Sequence, residues 1–250
     1  MDKPTLQIFP SIQALAATAA QYFAETVSAA VRLRGQAFVA LCGGGTPQML
    51  YSLLAQPPYL HTLPWDKIHF FWGDERCVPP DDMDSNYGQA RQILLARVPA
   101  PAVNIHRMLG EIPPQGAAED YIKQLENQAA PGTRWPRFDL VLLGMGADGH
   151  TASLFPGQLH PAEAGSPVVA VIASYQGRPA NRVTLTPMVF NAAEKVLFLV
   201  TGAGKAAALA AALQGPHDPL QHPTQRIQPQ AGSLTWFVDT PAAGSIKKEN

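Results

Sequence analysis

The sequence predicts an α/β protein: a doubly wound, mostly parallel β-sheet with helices on both faces. Three observations carry that expectation. Short apolar runs bounded by glycine or proline recur along the chain, segments of helical periodicity lie between them, and the most unusual polar residues fall just after the runs. Residues 11–33 place Ile12, Leu15, Ala16, Ala19, Phe23 and Ala30 on one helical face, with Ser11 as the expected N-cap. The runs 37–41, 68–72, 138–143, 168–172, 196–200 and 234–238 read as strands buried on both faces. Helices are expected over 47–54, 85–97, 115–128 and 205–213. With no internal repeat, residues 1–245 form a single expected domain, and 246–250 a flexible C-terminal tail.

Composition narrows the function. The chain has 250 residues, 46% hydrophobic and 15% charged, enough for a well-filled core without metal or disulfide staples. Lys plus Arg is 18 and Asp plus Glu is 19, so no basic excess suggests a nucleic-acid partner, and no run of like charges suggests a membrane surface. No stretch approaches the roughly 20 apolar residues of a membrane span. Residues 4–24 are uncharged and could imitate a signal peptide, but Pro10, Ser11, Gln13 and Thr18 interrupt the apolar core. Cys42 and Cys77 make no disulfide framework, so a cytoplasmic location is expected.

In a doubly wound sheet the ligand crevice lies beyond the carboxyl ends of the strands. Four loops there hold chemistry. The first, Ala-Leu-Cys-Gly-Gly-Gly-Thr-Pro (40–47), opens a helix at Pro47, and its N–H groups can cradle a phosphate or simply form a glycine turn. The second, Phe-Trp-Gly-Asp-Glu-Arg-Cys-Val-Pro-Pro (71–80), sets Asp74, Glu75 and Arg76 together and runs on to Ser85-Asn86. These charges either face a polar substrate or are merely solvated.

The third loop follows the run 138–143. Gly144, Gly146 and Gly149 spell G-x-G-x-x-G, but Pro156-Gly157 stops the crossover helix a dinucleotide site needs. What remains is His150 beside Asp148 on a glycine turn, suited to general-base work because an imidazole exchanges protons near neutrality. The fourth comprises Arg182, at a strand start, and Lys205, which opens a helix after Gly202-Ala203-Gly204. Lys205 is a natural anion site, though not a Walker loop, since Ala206 stands where Ser or Thr would hold magnesium. Arg182 is either an anion ligand or a surface charge. The seven histidines show no metal-ligand spacing, and a Cys–His nucleophile is set aside because small buried cysteines are common. Together the loops give two anion sites and a His, Asp, Arg cluster on one rim, which points to a phosphorylated metabolite with an uncharged ring.

These residues resemble the 6-phosphogluconolactonase family of the pentose phosphate pathway. The matching segments are Gly-Gly-x-Thr-Pro (43–47), Gly-Asp-Glu-Arg-x-Val-Pro (73–79) with Ser85-Asn86, Gly-x-Gly-x-Asp-Gly-His-Thr-Ala-Ser-Leu-Phe-Pro-Gly (144–157) and Arg-x-Thr-Leu-Thr (182–186). The resemblance implies a Rossmann-like α/β fold (NagB/RpiA/CoA-transferase-like) shared with glucosamine-6-phosphate deaminases, and cofactor-free hydrolysis of the lactone of 6-phosphogluconate. It implies His150 as general base and Arg76 facing the lactone. Arg182 and Lys205 would hold the phosphate, with Gly43, Gly44, Gly45 and Thr46 beside them. Asp74 or Asp148 would orient Arg76 or His150, and the sequence leaves open which. Cys42 and Gly45 replace two serines of the family's first loop, which removes one hydroxyl donor while leaving the backbone N–H. The expected partner is the small phosphosugar lactone, without metal, nucleic acid or membrane, and the chain is expected to be a monomer or homodimer.

Two alternatives compete. The deaminase relatives place Tyr after the Asp-Glu pair and Asn-Glu before the later Pro-Gly, where this chain has Arg76 and Leu154-Phe155. A sugar-phosphate sensor would bind without turnover, but such regulators usually add a DNA-binding helix pair for which these 250 residues leave no spare length.

Overall fold

The structure, a computed structural model, describes residues 4–247. Its strands are β1 (Thr5–Phe9), β2 (Ala37–Leu41), β3 (Ile68–Trp72), β4 (Asp74–Arg76), β5 (Leu140–Leu143), β6 (Val168–Ile172), β7 (Asn181–Leu185), β8 (Lys195–Val200) and β9 (Ser233–Asp239). Six of them pair in parallel in the order β1-β9-β8-β5-β2-β3, and β4-β7-β6 form a separate antiparallel sheet.

Alternating side chains bury both faces of the parallel sheet. Leu41 of β2, Leu142 of β5 and Leu197 of β8 enter one apolar layer with helices α1 (Ile12–Arg34) and α2 (Gly45–Leu54). Ala40, Val141 and Phe198 enter the opposite layer, with Tyr121 of helix Pro114–Asn127 and Leu209 of helix Ala206–Gln214. Burying one Leu or Phe side chain stabilises by about 1.5–3 kcal/mol, so strands dry on both sides favour the uninterrupted apolar runs seen here. At the start of α1, Ser11 Oγ accepts the Ala14 N–H at 3.2 Å, as the expected N-cap should.

Several expectations change. Run 168–172 is a strand, but it lies in the antiparallel sheet rather than the parallel one. A parallel return needs a crossover of a dozen or more residues, and only the short segment 173–180 separates β6 from β7. Its outer end is open, with Ile172 75% exposed. The uncharged stretch near the N-terminus contains the edge strand β1 and the first half of α1. The helix expected over 85–97 is an α-helical segment Asn86–Ala90 continued by a π-helical turn Arg91–Leu95. Nor is the whole of 246–250 a loose tail. Ile246 packs on the second apolar layer, and Lys247 exchanges backbone hydrogen bonds with the Gln214 amide at 2.8 and 2.7 Å. Residues 248–250 lie outside the described residues.

Strand order positions the site. From β2 the chain moves outward to β3, then returns to β5 on the other side of β2 and continues through β8 to β9. The turns after β2 and β5 therefore flank a topological switch point, where a crevice opens beyond the strand ends. Gly73 links the two sheets there: its N–H donates to Leu41 O, and its carbonyl accepts the Leu185 N–H, each at 2.8 Å.

A histidine pair on the sheet makes the fold acid-sensitive. His69 Nδ1 and His106 Nε2 lie 3.1 Å apart, with His106 stacked on Phe71 at 4.3 Å. Burial and the neighbouring His69 push the His106 ring down to about 4. An unfolded histidine takes up its proton near pH 6.5, so this contribution to stability is complete above about 6.5 and is lost as pH falls towards 4. The urea midpoint is expected to drop over that interval, and His106→Phe should flatten part of the drop.

Candidate active site

A cavity of about 390 Å³ occupies the switch point, lined by the glycine turn 43–46 after β2, Gly144–Gly146 after β5, and the loop after β8. The antiparallel sheet contributes Asp74, Arg76 and Arg182 to its wall. Asp74 and Arg182 share a ladder with Thr184 and Arg76 respectively, so both arginines are delivered from paired, rigid strands.

His150 is held on several sides. Its Nδ1 lies 2.6 Å from Asp148 Oδ1, and the same oxygen accepts the His150 backbone N–H at 3.1 Å. Phe155 stacks on the ring at 4.5 Å, and Tyr175 meets it edge-on at 4.5 Å. Burial alone would raise the Asp148 carboxyl, but its hydrogen bonds with His150 and that ring's charge outweigh it and hold the group below its ordinary value. A carboxylate at Nδ1 fixes the N–H there and leaves Nε2 as the basic nitrogen. Gly146 makes this arrangement sterically possible, because a Cβ at that position would sit 2.1 Å from His150 Nδ1 and 2.4 Å from Asp148 Oδ1.

Three cations face the cavity without a carboxylate partner: among the described residues no ion pair involves Arg76, Arg182 or Lys205. Arg182 is only 2% exposed, its Nε and Nη2 have no hydrogen-bond partner, and its guanidinium lies 5.4 Å from the Phe155 ring centre. Burial lowers the affinity of both Arg182 and Lys205 for their protons. Buried guanidinium donors without acceptors are costly unless an anion supplies them. The α2 N-terminus adds backbone N–H groups, with Thr46 Oγ1 2.7 Å from Thr201 Oγ1 across the turn.

Beneath this surface lies a buried carboxylate. Glu75, 2% exposed, accepts the N–H groups of Arg76 and Asn86 at 2.7 Å and Tyr87 at 2.8 Å, together with the Ser85 hydroxyl at 3.1 Å. Burial pushes its carboxyl up to about 7 against the pull of those backbone donors. Hydrogen bonds to a charged group contribute about 1.5–3 kcal/mol each, so this set offsets only part of the burial cost.

Every residue expected from the sequence reaches this region. His150, Arg76, Asp74, Gly43, Gly44, Gly45, Thr46, Arg182 and Lys205 line the cavity, and Asp148 stands behind His150. Arg182 is not a surface charge. Of the two aspartates, Asp148 is the one bonded to His150. Asp74 instead accepts the Ser153 hydroxyl at 2.7 Å and the Asn86 amide at 3.3 Å. Among the described residues no group of three or more His, Cys, Asp or Glu is arranged to hold a metal, and no helix is long and apolar enough to cross a membrane. Sequence reasoning missed the Tyr175–Arg178 hairpin, which adds Tyr175, Gln176 and Arg178 to the lining. Its signal was Gln176-Gly177, both with positive φ (50° and 69°), the pair a two-residue hairpin loop demands. Tyr175 Oη accepts the Ala147 N–H at 3.2 Å and Arg178 pairs with Asp84, so the hairpin is tied both to the turn after β5 and to the loop before helix Asn86–Ala90.

Fold and site together define an α/β protein with a cation-lined cavity at a sheet switch point. The chain belongs to the family described as glucosamine-6-phosphate isomerases/6-phosphogluconolactonase, whose model matches residues 10–236. It is 41% identical over 248 residues to the 6-phosphogluconolactonase of Nostoc sp., covering 98% of this chain and 99% of the relative. With that of Synechocystis sp. it shares 42% identity over 224 residues, 88% of this chain and 89% of the relative. The solved 6-phosphogluconolactonase of Trypanosoma brucei has a TM-score of 0.85 at 30% identity, covering 99% of this chain and 100% of its own. A monomeric glucosamine-6-phosphate deaminase at 19% identity shares the fold, with a TM-score of 0.82 over 96% of this chain and 99% of its own.

The glycines separate by what a methyl group would meet. Gly146→Ala drives a Cβ into the His150–Asp148 pair, and displacing a catalytic group by about 1 Å can cost about 100-fold in rate. At Gly45 no protein atom lies within 4 Å, so Gly45→Ala or Gly45→Ser should fold unchanged and keep kcat within about threefold of the unaltered chain, a change below about 0.7 kcal/mol, with any effect of the added group falling on KM. Steady-state kinetics of the purified variants check both.

Proposed function

We propose that the chain hydrolyses 6-phospho-D-glucono-1,5-lactone to 6-phospho-D-gluconate, the second step of the oxidative pentose phosphate pathway. One observation carries this reading: a carboxylate-held imidazole and three cations without carboxylate partners line the same cavity. The names of the relatives agree with it, as does Arg76 where deaminases carry tyrosine.

The phosphate docks against Arg182, Lys205 and the 43–46 turn, which places binding energy far from the reacting carbon and orients the ring. His150 Nε2 takes a proton from water as the water oxygen bonds to the lactone carbonyl carbon. The negative charge that develops on the carbonyl oxygen is met by Arg76 or the N–H groups of the 144–149 turn, an effect of about 3–4 kcal/mol for a well-placed donor. Collapse re-forms the carbonyl and breaks the carbon–ring-oxygen bond. The imidazolium returns its proton to that oxygen, which becomes a hydroxyl, and the new carboxyl ionises to solvent. Asp148 keeps the ring oriented throughout and stabilises its charged form. Every group in this scheme comes from one chain, so a monomer suffices. The free thiols of Cys42 and Cys77 suit the cytoplasm.

Decay of freshly generated phosphorylated lactone, followed with and without the protein beside the unphosphorylated lactone, tests the reading. Accelerated loss of the phosphorylated compound is expected, and His150→Ala should reduce kcat by about 100- to 10,000-fold. No acceleration over the spontaneous rate, or ammonia release from glucosamine 6-phosphate instead, would overturn it.

A further inference from the structure

Nothing in the scheme above uses Glu75, which does not line the cavity and yet accepts hydrogen bonds from four partners. What those bonds fix is the start of the helix Asn86–Ala90. Asn86, 2% exposed, is held by its own N–H on Glu75 Oε1. Its side-chain Nδ2 donates to the Asp74 carbonyl at 2.9 Å, and its Oδ1 has no donor. That oxygen presses against Gly43 so closely that a Cβ there would lie 1.9 Å from it. Glu75 and Asn86, both buried, and half-buried Gly43 thus form a line from β4 to the glycine turn after β2.

We propose that Glu75 is a positioning residue for the phosphate cradle: its carboxylate fixes Asn86, and Asn86 sets the turn at Gly43. The inference rests on the placement of the phosphate against the 43–46 turn given above. Glutamine tests it at nearly constant shape. Glu75 Oε1 accepts from Arg76 and Asn86, and Oε2 from Ser85 and Tyr87, so each oxygen faces at least one backbone N–H. Whichever way the amide introduced by Glu75→Gln turned, its NH₂ would meet a backbone donor.

The experiment compares Glu75→Gln, Asn86→Ala and the double variant by titration with inorganic phosphate and by kinetics on both lactones. Each single change is expected to weaken phosphate binding and raise KM for the phosphorylated lactone by about tenfold, equivalent to about 1.4 kcal/mol. Changes in kcat should stay within about threefold, and kcat/KM for the unphosphorylated lactone within about twofold, whereas a general loss of folding would reduce both substrates alike. The double variant should be no worse than the weaker-binding single, because both act on one line of contacts. Should Glu75→Gln not fold, Asn86→Ala decides alone. Unchanged phosphate affinity in folded Asn86→Ala, equal losses on both lactones, or no phosphate binding by the unaltered chain would each overturn the proposal. The phosphate titration needs no turnover, so failure of lactone hydrolysis would sink the lactonase reading and leave this comparison standing.

Discussion

Between β2 and β5 the chain leaves the parallel sheet in opposite directions, and the ends of both strands stay uncovered by the crossovers that leave them. That gap is what the rest of the site depends on. Two glycine turns border it, and the antiparallel sheet closes one flank. Because Gly73 is hydrogen-bonded to β2 and to β7 at once, Arg76 and Arg182 are held in register with the turn that opens α2. Side chains far apart in sequence are therefore brought to one cavity by backbone ladders rather than by mobile loops.

Burying the cations of this gap carries an electrostatic cost. Arg182 is buried with donors unused, and burial weakens the hold of both Arg182 and Lys205 on their protons. An anion that enters supplies acceptors and charge together, so its binding recovers desolvation already expended in folding. Neither nearby aspartate forms an ion pair with these cations: Asp74 is hydrogen-bonded by Ser153 and Asn86, and Asp148 by His150, although the Asp74 charge offsets part of the burial cost of Arg182. Phe155 links the two halves of the site, with His150 stacked on its ring and the Arg182 guanidinium over it.

How much of this was legible in the sequence follows from burial. The strands β2 and β3 have the expected limits because both their faces are dry, which favours unbroken apolar runs. β1 escaped notice because most of its side chains are exposed and it pairs with β9 alone. β4 is three residues long and polar because it lines the cavity, so its sequence reads as chemistry rather than as a strand. The loops after β2, β3, β5 and β8 were readable as sites, since glycine and charge cluster there in a chain poor in charge. The choice between Asp74 and Asp148 was not readable, because it depends on how the 144–150 turn folds back on itself. Nor was the role of Tyr175, whose contact with Ala147 spans a stretch with no periodic signal.

In the proposed hydrolysis one cavity holds the phosphate and the reacting carbon at fixed, opposite ends. A crystal structure of the protein with 6-phosphogluconate bound tests it most directly. Phosphate oxygens are expected at about 2.7–3.2 Å from Arg182, Lys205 and the N–H groups of the 43–46 turn, with the C1 carboxylate against His150 Nε2 and Arg76. A ligand bound the other way round, with its carboxylate in the glycine turn and its phosphate beside His150, would contradict it.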